Sequence, residues 1–137
     1  MKHIARPISL FLTLMFLFSC SDEDCDFKLP CGPRPTEGTL TVKVNYNDEN
    51  PTVPIAIYQG QFEDDNLYMI DTLRGQEKVE YTLPVDRYYS VTATYIKNNN
   101  TITALDGDRI TLNEDEDDCL GICYSVNDAK VNLKLKY

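Results

Sequence analysis

The sequence predicts one nearly all-β domain, a two-sheet antiparallel sandwich of seven or eight strands. Two observations carry this prediction. Apolar and polar residues alternate with a period of two in one segment after another from Gly38 onward, which is typical of half-buried strands. No segment keeps the 3.6-residue apolar period of an amphipathic helix. The short strands spread over roughly 100 residues suit a single sandwich.

The alternating segments are separated by short runs rich in Asn, Gly and Pro, which mark turns. Asn98–Asn100 is predicted to form a turn because Asn tolerates positive φ. Asp106-Gly107 predicts a hairpin turn of the type I′ kind between two short strands. The predicted strands are Leu40–Tyr46, Val53–Tyr58, Leu67–Leu73, Val79–Leu83, Arg87–Lys97, Thr101–Leu105, Asp108–Leu112 and Val131–Tyr137.

The N-terminus has the organisation of a secretory signal peptide. Lys2 and Arg6 precede the apolar run Ile8–Phe18, whose eleven residues are too few to cross a bilayer as a helix. The sequence therefore predicts a signal peptide over residues 1–19, an acidic, proline-containing tether over residues 20–37 and the β-sandwich over residues 38–137.

The stretch Leu17-Phe18-Ser19-Cys20 resembles the lipobox of bacterial lipoproteins. The resemblance implies cleavage before Cys20 and attachment of acyl chains, palmitate among them, to that residue. Two or more chains anchor a protein stably, since each buried CH₂ contributes about 0.8 kcal/mol.

The next four residues are similar to the acidic export tag of Bacteroidota surface lipoproteins; they are Ser21, Asp22, Glu23 and Asp24. The resemblance implies an outer-membrane lipoprotein that faces the outside of the cell. The alternative is a solvated acidic tether on a lipoprotein that faces the periplasm.

The segment "VEYTLPVDRYYSVTATY" resembles transthyretin-like, carboxypeptidase-regulatory-like sandwiches. In that family an alternating strand ends in Leu-Pro and is followed by a tight turn and a Tyr-led strand. Leu83-Pro84, Tyr88-Tyr89 and Val91 occupy those places here. The resemblance implies an immunoglobulin-like or transthyretin-like fold and says nothing of function.

The formal charge of −9 becomes −11 once removal of the signal takes away Lys2 and Arg6. Such an acidic chain lacks the basic surface that nucleic-acid binding requires, so the sequence excludes that class of partner. It also makes a second, electrostatic attachment to anionic lipid unfavourable.

Four cysteines besides Cys20 favour disulfide bonds in an exported protein; they are Cys25, Cys31, Cys119 and Cys123. Contact probability favours the local pairs Cys25–Cys31 and Cys119–Cys123. Crossed pairing is the alternative and would tie the tether to the domain.

The sequence offers no catalytic constellation. The only histidine is His3, in the signal, so the mature chain has no Ser-His-Asp or Cys-His arrangement and is predicted not to be an enzyme. Hard oxygen ligands could form one weak calcium site, although a run of like charges is more often a solvated loop. The calcium candidates are Asp106, Asp108, Glu114, Asp115, Glu116, Asp117 and Asp118.

Two further features bear on function. Asp71-Thr72-Leu73 resembles the O-glycosylation motif of Bacteroidota secreted proteins, which makes Thr72 a candidate for glycosylation. Alternation places Tyr46, Tyr81, Tyr89, Tyr95 and Tyr137 in the core, whereas Tyr58, Tyr68, Tyr88 and Tyr124 are expected at the surface.

The sequence thus predicts a non-enzymatic, membrane-anchored module that binds protein or glycan. The alternative is a fimbria-like structural subunit that pairs strands with its neighbours.

Overall fold

The computed structural model describes residues 31–117 and 119–136 of the chain. Within these residues the chain forms eight strands and a short 3-10 turn, Phe62–Asp64, which confirms the predicted all-β sandwich. The strands are β1 (Glu37–Lys43), β2 (Thr52–Gln59), β3 (Leu67–Arg74), β4 (Lys78–Pro84), β5 (Arg87–Lys97), β6 (Asn100–Asp117), β7 (Gly121–Asn127) and β8 (Ala129–Asn132).

The strands lie in two sheets, a smaller one of order β4-β1-β8 and a larger one of order β3-β2-β5-β6-β7. Paired strands run antiparallel except β1 and β8, which are parallel, with Leu40 opposite Ala129 and Val42 opposite Val131. The parallel pair arises because β8 follows β7 and so enters the smaller sheet from the larger one, not through a hairpin with β1.

The core lies between the two sheets and is built from the inward residues of the alternating strands. The hydroxyl of buried Tyr95 accepts the Asn45 N–H at 3.1 Å and donates to the Leu133 carbonyl at 3.0 Å, so this large side chain carries no unpaired polar group. The core residues are Leu40, Val42, Val44, Val53, Ile55, Ile57, Leu73, Leu83, Tyr89, Val91, Ala93, Tyr95, Ile110, Ala129, Val131 and Leu133.

The predicted turn at the asparagines joins β5 to β6. Asn98 and Asn99 have φ values of 52° and 61°, and Lys97 lies opposite Asn100 in the register. Both central residues therefore occupy the left-handed region that a tight hairpin of this kind requires.

The second predicted hairpin turn, at Asp106-Gly107, is wrong. Both residues lie inside the uninterrupted strand β6, where Asp106 pairs with Val91 and Gly107 with Ser90. Gly107 allows the Tyr88 side chain to approach the backbone closely, because a Cβ at this position would lie 2.3 Å from the Tyr88 hydroxyl. The Asp-Gly pair therefore reflects packing on β5 and not a chain reversal.

The acidic run continues β6 and is not a separate loop. Beyond Ile110, β6 leaves β5 and pairs with β7, a strand absent from the predicted set. We call Thr111–Asn127 the ribbon. The alternation of Ile122, Tyr124 and Val126 was the available signal for β7.

The outer edge of β8 is covered by side chains of β6. Leu133 donates its N–H to the Lys43 carbonyl of β1. Because successive N–H groups of a strand point to opposite sides, those of Lys130 and Asn132 point away from β1. Asp108 Oδ2 accepts the Lys130 N–H at 2.8 Å, and Asp106 Oδ2 accepts the Asn132 N–H at 2.7 Å. Two carboxylates thus replace the missing neighbouring strand.

The disulfide pairing is crossed, and the predicted local pairing is wrong. Cys31 is bonded to Cys123 of β7, with the two Cα atoms 5.2 Å apart. Cys119 is disulfide-bonded as well, and its bond cannot be to Cys123, which Cys31 occupies. The pairing follows the fold and not proximity in sequence, because the segment before β1 runs along the ribbon.

Contacts of Arg34 support this path. Its guanidinium lies 3.7 Å from Glu114 Oε1 in β6 and 5.9 Å from the centroid of the Tyr124 ring in β7. An isolated two-stranded hairpin is marginally stable at best, so the disulfide and these contacts brace the ribbon.

Tyr81 links the two sheets at the opposite edge of the sandwich. Its hydroxyl donates to Asp71 Oδ2 at 2.7 Å. Burial raises the pKa of Tyr81 above its ordinary value, and the hydrogen bond to Asp71 and the charge of that carboxylate raise it further.

This shift predicts a loss of stability in alkali. Above pH 10 the unfolded chain releases the Tyr81 proton while the folded chain keeps it, so the free energy of unfolding falls as pH rises. In Tyr81→Phe the fall should be shallower and not absent, because burial raises the pKa of Tyr89 too. Urea unfolding at a series of pH values from 8 to 12 measures this, and equal slopes for the two proteins would contradict it.

Several predicted features lie outside the described residues. They are the signal peptide, the lipidated Cys20, the export tag Ser21, Asp22, Glu23 and Asp24, and also Cys25, Asp118 and Tyr137. Among the residues that are described, no helix is long and apolar enough to span a membrane.

Candidate functional site

The outward face of the larger sheet carries the exposed apolar surface of interest. In the register, Ile70, Ala56, Thr92 and Leu105 form one row across β3, β2, β5 and β6. Ile70 is 67% exposed and Leu105 is 51% exposed, so the two ends of the row offer aliphatic surface to solvent. We call this surface the outward face.

A cleft of about 190 Å³ lies on the outward face beside this row. Phe62 and Glu63 of the 3-10 turn form one wall and Leu105 forms the other. Ser90 and Gly107 form the floor. Tyr88 lines the cleft as well, so two aromatic rings and one aliphatic side chain border a space large enough for one side chain or one sugar ring.

The position of Tyr88 in the cleft depends on the absence of a side chain at Gly107. A Cβ on Gly107 would lie within 3 Å of three atoms of Tyr88, at 2.3, 2.7 and 2.9 Å, so the far end of the ring lies directly over the glycine. The absence of a side chain at Gly107 thereby allows the ring to lie against the sheet. Any larger residue at this position would displace it.

The wall formed by the 3-10 turn is anchored to β5. The buried hydroxyl of Ser90 donates to the Gly60 carbonyl at 2.7 Å, and the Gly60 N–H donates to the Tyr88 carbonyl at 2.8 Å. Gly60 has a φ of 99°, which other residues adopt only with strain. The chain leading into the turn is therefore tied to β5 through Gly60.

Phe62 is positioned by an aromatic contact. Its ring packs edge-on against Tyr58, with centroids 5.1 Å apart and an interplanar angle of 87°. Such pairs stabilise by about 0.5–1.5 kcal/mol beyond their burial. The contact holds Phe62 in place while 40% of its surface remains exposed.

Two other depressions lie on the smaller sheet, with volumes of about 350 and 370 Å³. Their linings contain charged side chains of both signs, among them Lys78 and Glu80, which form an ion pair with each other. No aromatic side chain lines either of them. The cleft on the outward face is thus the better candidate for recognition.

The calcium candidates are spread over the fold. Asp106 and Asp108 accept backbone N–H groups of β8, while Glu114–Asp117 lie in the ribbon. In the described part of the chain, no three Asp, Glu, His or Cys side chains come together in a way that could hold a metal ion.

Thr72 lies in the edge strand β3 and is exposed, and its N–H donates to Asp71 Oδ1 at 2.7 Å. Its glycosylation stays a prediction.

The tyrosines divide only partly as predicted. Tyr89 and Tyr95 are buried, Tyr81 packs against the core, and Tyr68 is exposed. The other three expected at the surface, Tyr58, Tyr88 and Tyr124, are half-buried. Tyr46 is 46% exposed, which contradicts its predicted core position. It lies beyond the end of β1 at Lys43, so the alternation of that strand no longer applies to it.

Sequence reasoning missed the main residues of the cleft. Phe62 stood in a segment interpreted as a polar loop, and Leu105 was assigned to a short strand with no role on its outward side. The available signal was the outward position of Leu105 and Ile70, large apolar residues where a half-buried strand normally carries polar ones.

Comparisons with known proteins found no match: no protein-family model, no curated protein and no solved structure resembles the chain.

Proposed function

We propose that the chain is a non-enzymatic outer-membrane lipoprotein, anchored through Cys20 and directed outward by Ser21–Asp24, whose β-sandwich binds a protein or glycan. The observation that carries the proposal is the outward face. Monomeric proteins seldom expose contiguous apolar surface without a use for it, and such a patch with a polar border is typical of interaction sites. Ile70 and Leu105 are large apolar side chains exposed on this face, and Phe62 lies beside the cleft.

The contacts at β8 weigh against the structural alternative. A fimbria-like subunit joins its neighbours by adding a strand to an open sheet edge. Here Asp106 and Asp108 already bond the outward N–H groups of β8. These contacts disfavour strand addition at β8, and the binding surface we propose is a sheet face.

One experiment tests the anchor, the orientation and the surface together. Intact cells expressing the full chain are applied to arrays of glycans and proteins, with and without protease shaving. Three variants accompany the wild type: Asp22, Glu23 and Asp24 all changed to Ala; Ile70→Lys with Leu105→Lys; and Ile122→Lys. Ile122 is a matched control, since it is 53% exposed but lies in the ribbon.

Wild-type and Ile122→Lys cells should be retained on the same array spots and released by shaving. The tag variant should fail to be retained because its domain faces the periplasm, and the Ile70/Leu105 variant should fail because its surface is changed. Retention of the Ile70/Leu105 variant would contradict the proposed surface. Retention of the tag variant would contradict the proposed role of Ser21–Asp24.

A further inference from the structure

The cleft holds polar groups that the fold does not use. Glu63 and Tyr88 both line it, and neither side chain has a hydrogen-bond or ion-pair partner among the described residues. Neighbouring groups are engaged: Asp64 Oδ2 accepts the Gln61 N–H at 3.1 Å, and Asp106 Oδ1 accepts the Gly107 N–H at 2.9 Å. The lining of the cleft thus includes one residue with a free carboxylate, Glu63, and two aromatic residues, Phe62 and Tyr88, of which Tyr88 carries a free hydroxyl.

The charge around the cleft is negative. Glu63 is followed in the sequence by Asp64 and Asp65, Asp106 lines the cleft as well, and the whole chain has a net charge of −9. The nearest base on the facing strand is Arg109, which lies opposite Tyr88 and donates from Nη1 to the Asp86 carbonyl at 3.3 Å. The cleft therefore attracts cations and disfavours anionic ligands.

We propose that the cleft binds an arginine side chain of a basic protein partner. This inference rests on the proposed function and names the partner class. The aliphatic stem of arginine would contact Leu105 and Phe62, its planar guanidinium would stack on the Tyr88 ring, and its N–H groups would pair with Glu63. Lysine lacks the planar group needed for both contacts at once.

Other occupants fit these features less well. A second copy of the chain carries the same negative charge and is repelled. A saccharide would use the aromatic rings and could donate hydroxyl hydrogen bonds to the carboxylate, but it carries no positive charge to pair with the acidic surroundings of the cleft.

The test is an amide chemical-shift titration of the full mature chain, ¹⁵N-labelled and purified in detergent. The probe is N-acetyl-arginine methylamide, and the matched neutral probe is the citrulline analogue, which has the same shape without the charge. Methyl glucopyranoside serves as the saccharide probe. The variants are Glu63→Gln, Gly107→Ala, whose Cβ would displace the Tyr88 ring, and Asp48→Asn, which removes one exposed charge outside the cleft.

We expect saturable shifts at Phe62, Glu63, Tyr88 and Leu105 with an affinity in the millimolar range, as suits a single side chain. The citrulline analogue and the Glu63→Gln variant should each weaken binding about fivefold, the loss expected for one ion pair at the surface. Gly107→Ala should weaken it without unfolding the chain, since the tip of the Tyr88 side chain is free to swing aside. Asp48→Asn should bind as the wild type does.

Absence of saturable shifts, equal affinity for the citrulline analogue, or tighter binding of the glucopyranoside would overturn the inference. So would sedimentation of the chain as a dimer that buries the cleft. If the arginine probe fails while cells are still retained on the arrays through Ile70 and Leu105, the inference falls and the proposed function stands. If the probe binds but no array spot retains cells, the proposed function fails instead.

Discussion

Cys31→Ser should lower the free energy of unfolding by about 3 kcal/mol. The Cys31–Cys123 bond joins residues 92 positions apart, but Cys119 is also disulfide-bonded and its bond remains in the variant. The cysteines left to pair with Cys119 precede Cys31 closely in the sequence, so the additional loop that the Cys31–Cys123 bond closes in the unfolded chain is short. Urea unfolding of the full chain, purified in detergent without reductant, measures the difference.

The matched control is the double variant Cys31→Ser/Cys123→Ser. Because both variants lose the same bond, their unfolding midpoints should agree closely. The loss should also reach the ribbon, so the amides of β7 should exchange with solvent faster than those of β5. A change below about 1 kcal/mol would mean that the bond hardly constrains the unfolded chain.

Changing both Asp106 and Asp108 to Ala should lower the free energy of unfolding by about 2–4 kcal/mol. Each carboxylate accepts one backbone N–H of β8, at 2.7 Å for Asn132 and 2.8 Å for Lys130. Without them the edge of β8 presents unpaired donors, which another chain can satisfy by strand pairing. We therefore expect concentration-dependent assembly of the double variant as well as a lower stability.

The corresponding double change to Asn is the control, since an amide oxygen can still accept the N–H. It should recover most of the stability and remain monomeric in analytical sedimentation. Assembly of the Asn variant to the same extent as the Ala variant would show that the negative charge, and not the hydrogen bond, keeps the edge closed. A monomeric Ala variant would contradict the role assigned to the two carboxylates.

For the same two aspartates, the prediction from sequence motifs differs from the structure. In the sequence they flank Gly107, Asp106-Gly107 has the composition of a hairpin turn, and both aspartates belong to an acidic group suited to calcium. In the fold they sit in one long strand and bond the backbone of β8. Turn propensity is a local quantity, and pairing of β6 with the full length of β5 outweighs it.

The sequence by itself determined the all-β class, most strand positions and much of the core. Leu40, Val42, Val91 and Tyr95 are buried as their alternation predicts, because a strand sends successive side chains to opposite faces whatever it pairs with. The Asn98-Asn99 turn was equally predictable, since the required φ values belong to those two residues themselves.

Only the tertiary structure decided the disulfide pairing, the edge caps and the cleft. Cys31 meets Cys123, Asp106 meets β8, and Tyr88 lies over Gly107 because segments distant in the chain are brought together by sheet order. Alternation says which way a side chain points but not which strand lies beside it. Every feature that bears on recognition depends on which strands are neighbours in the sheets.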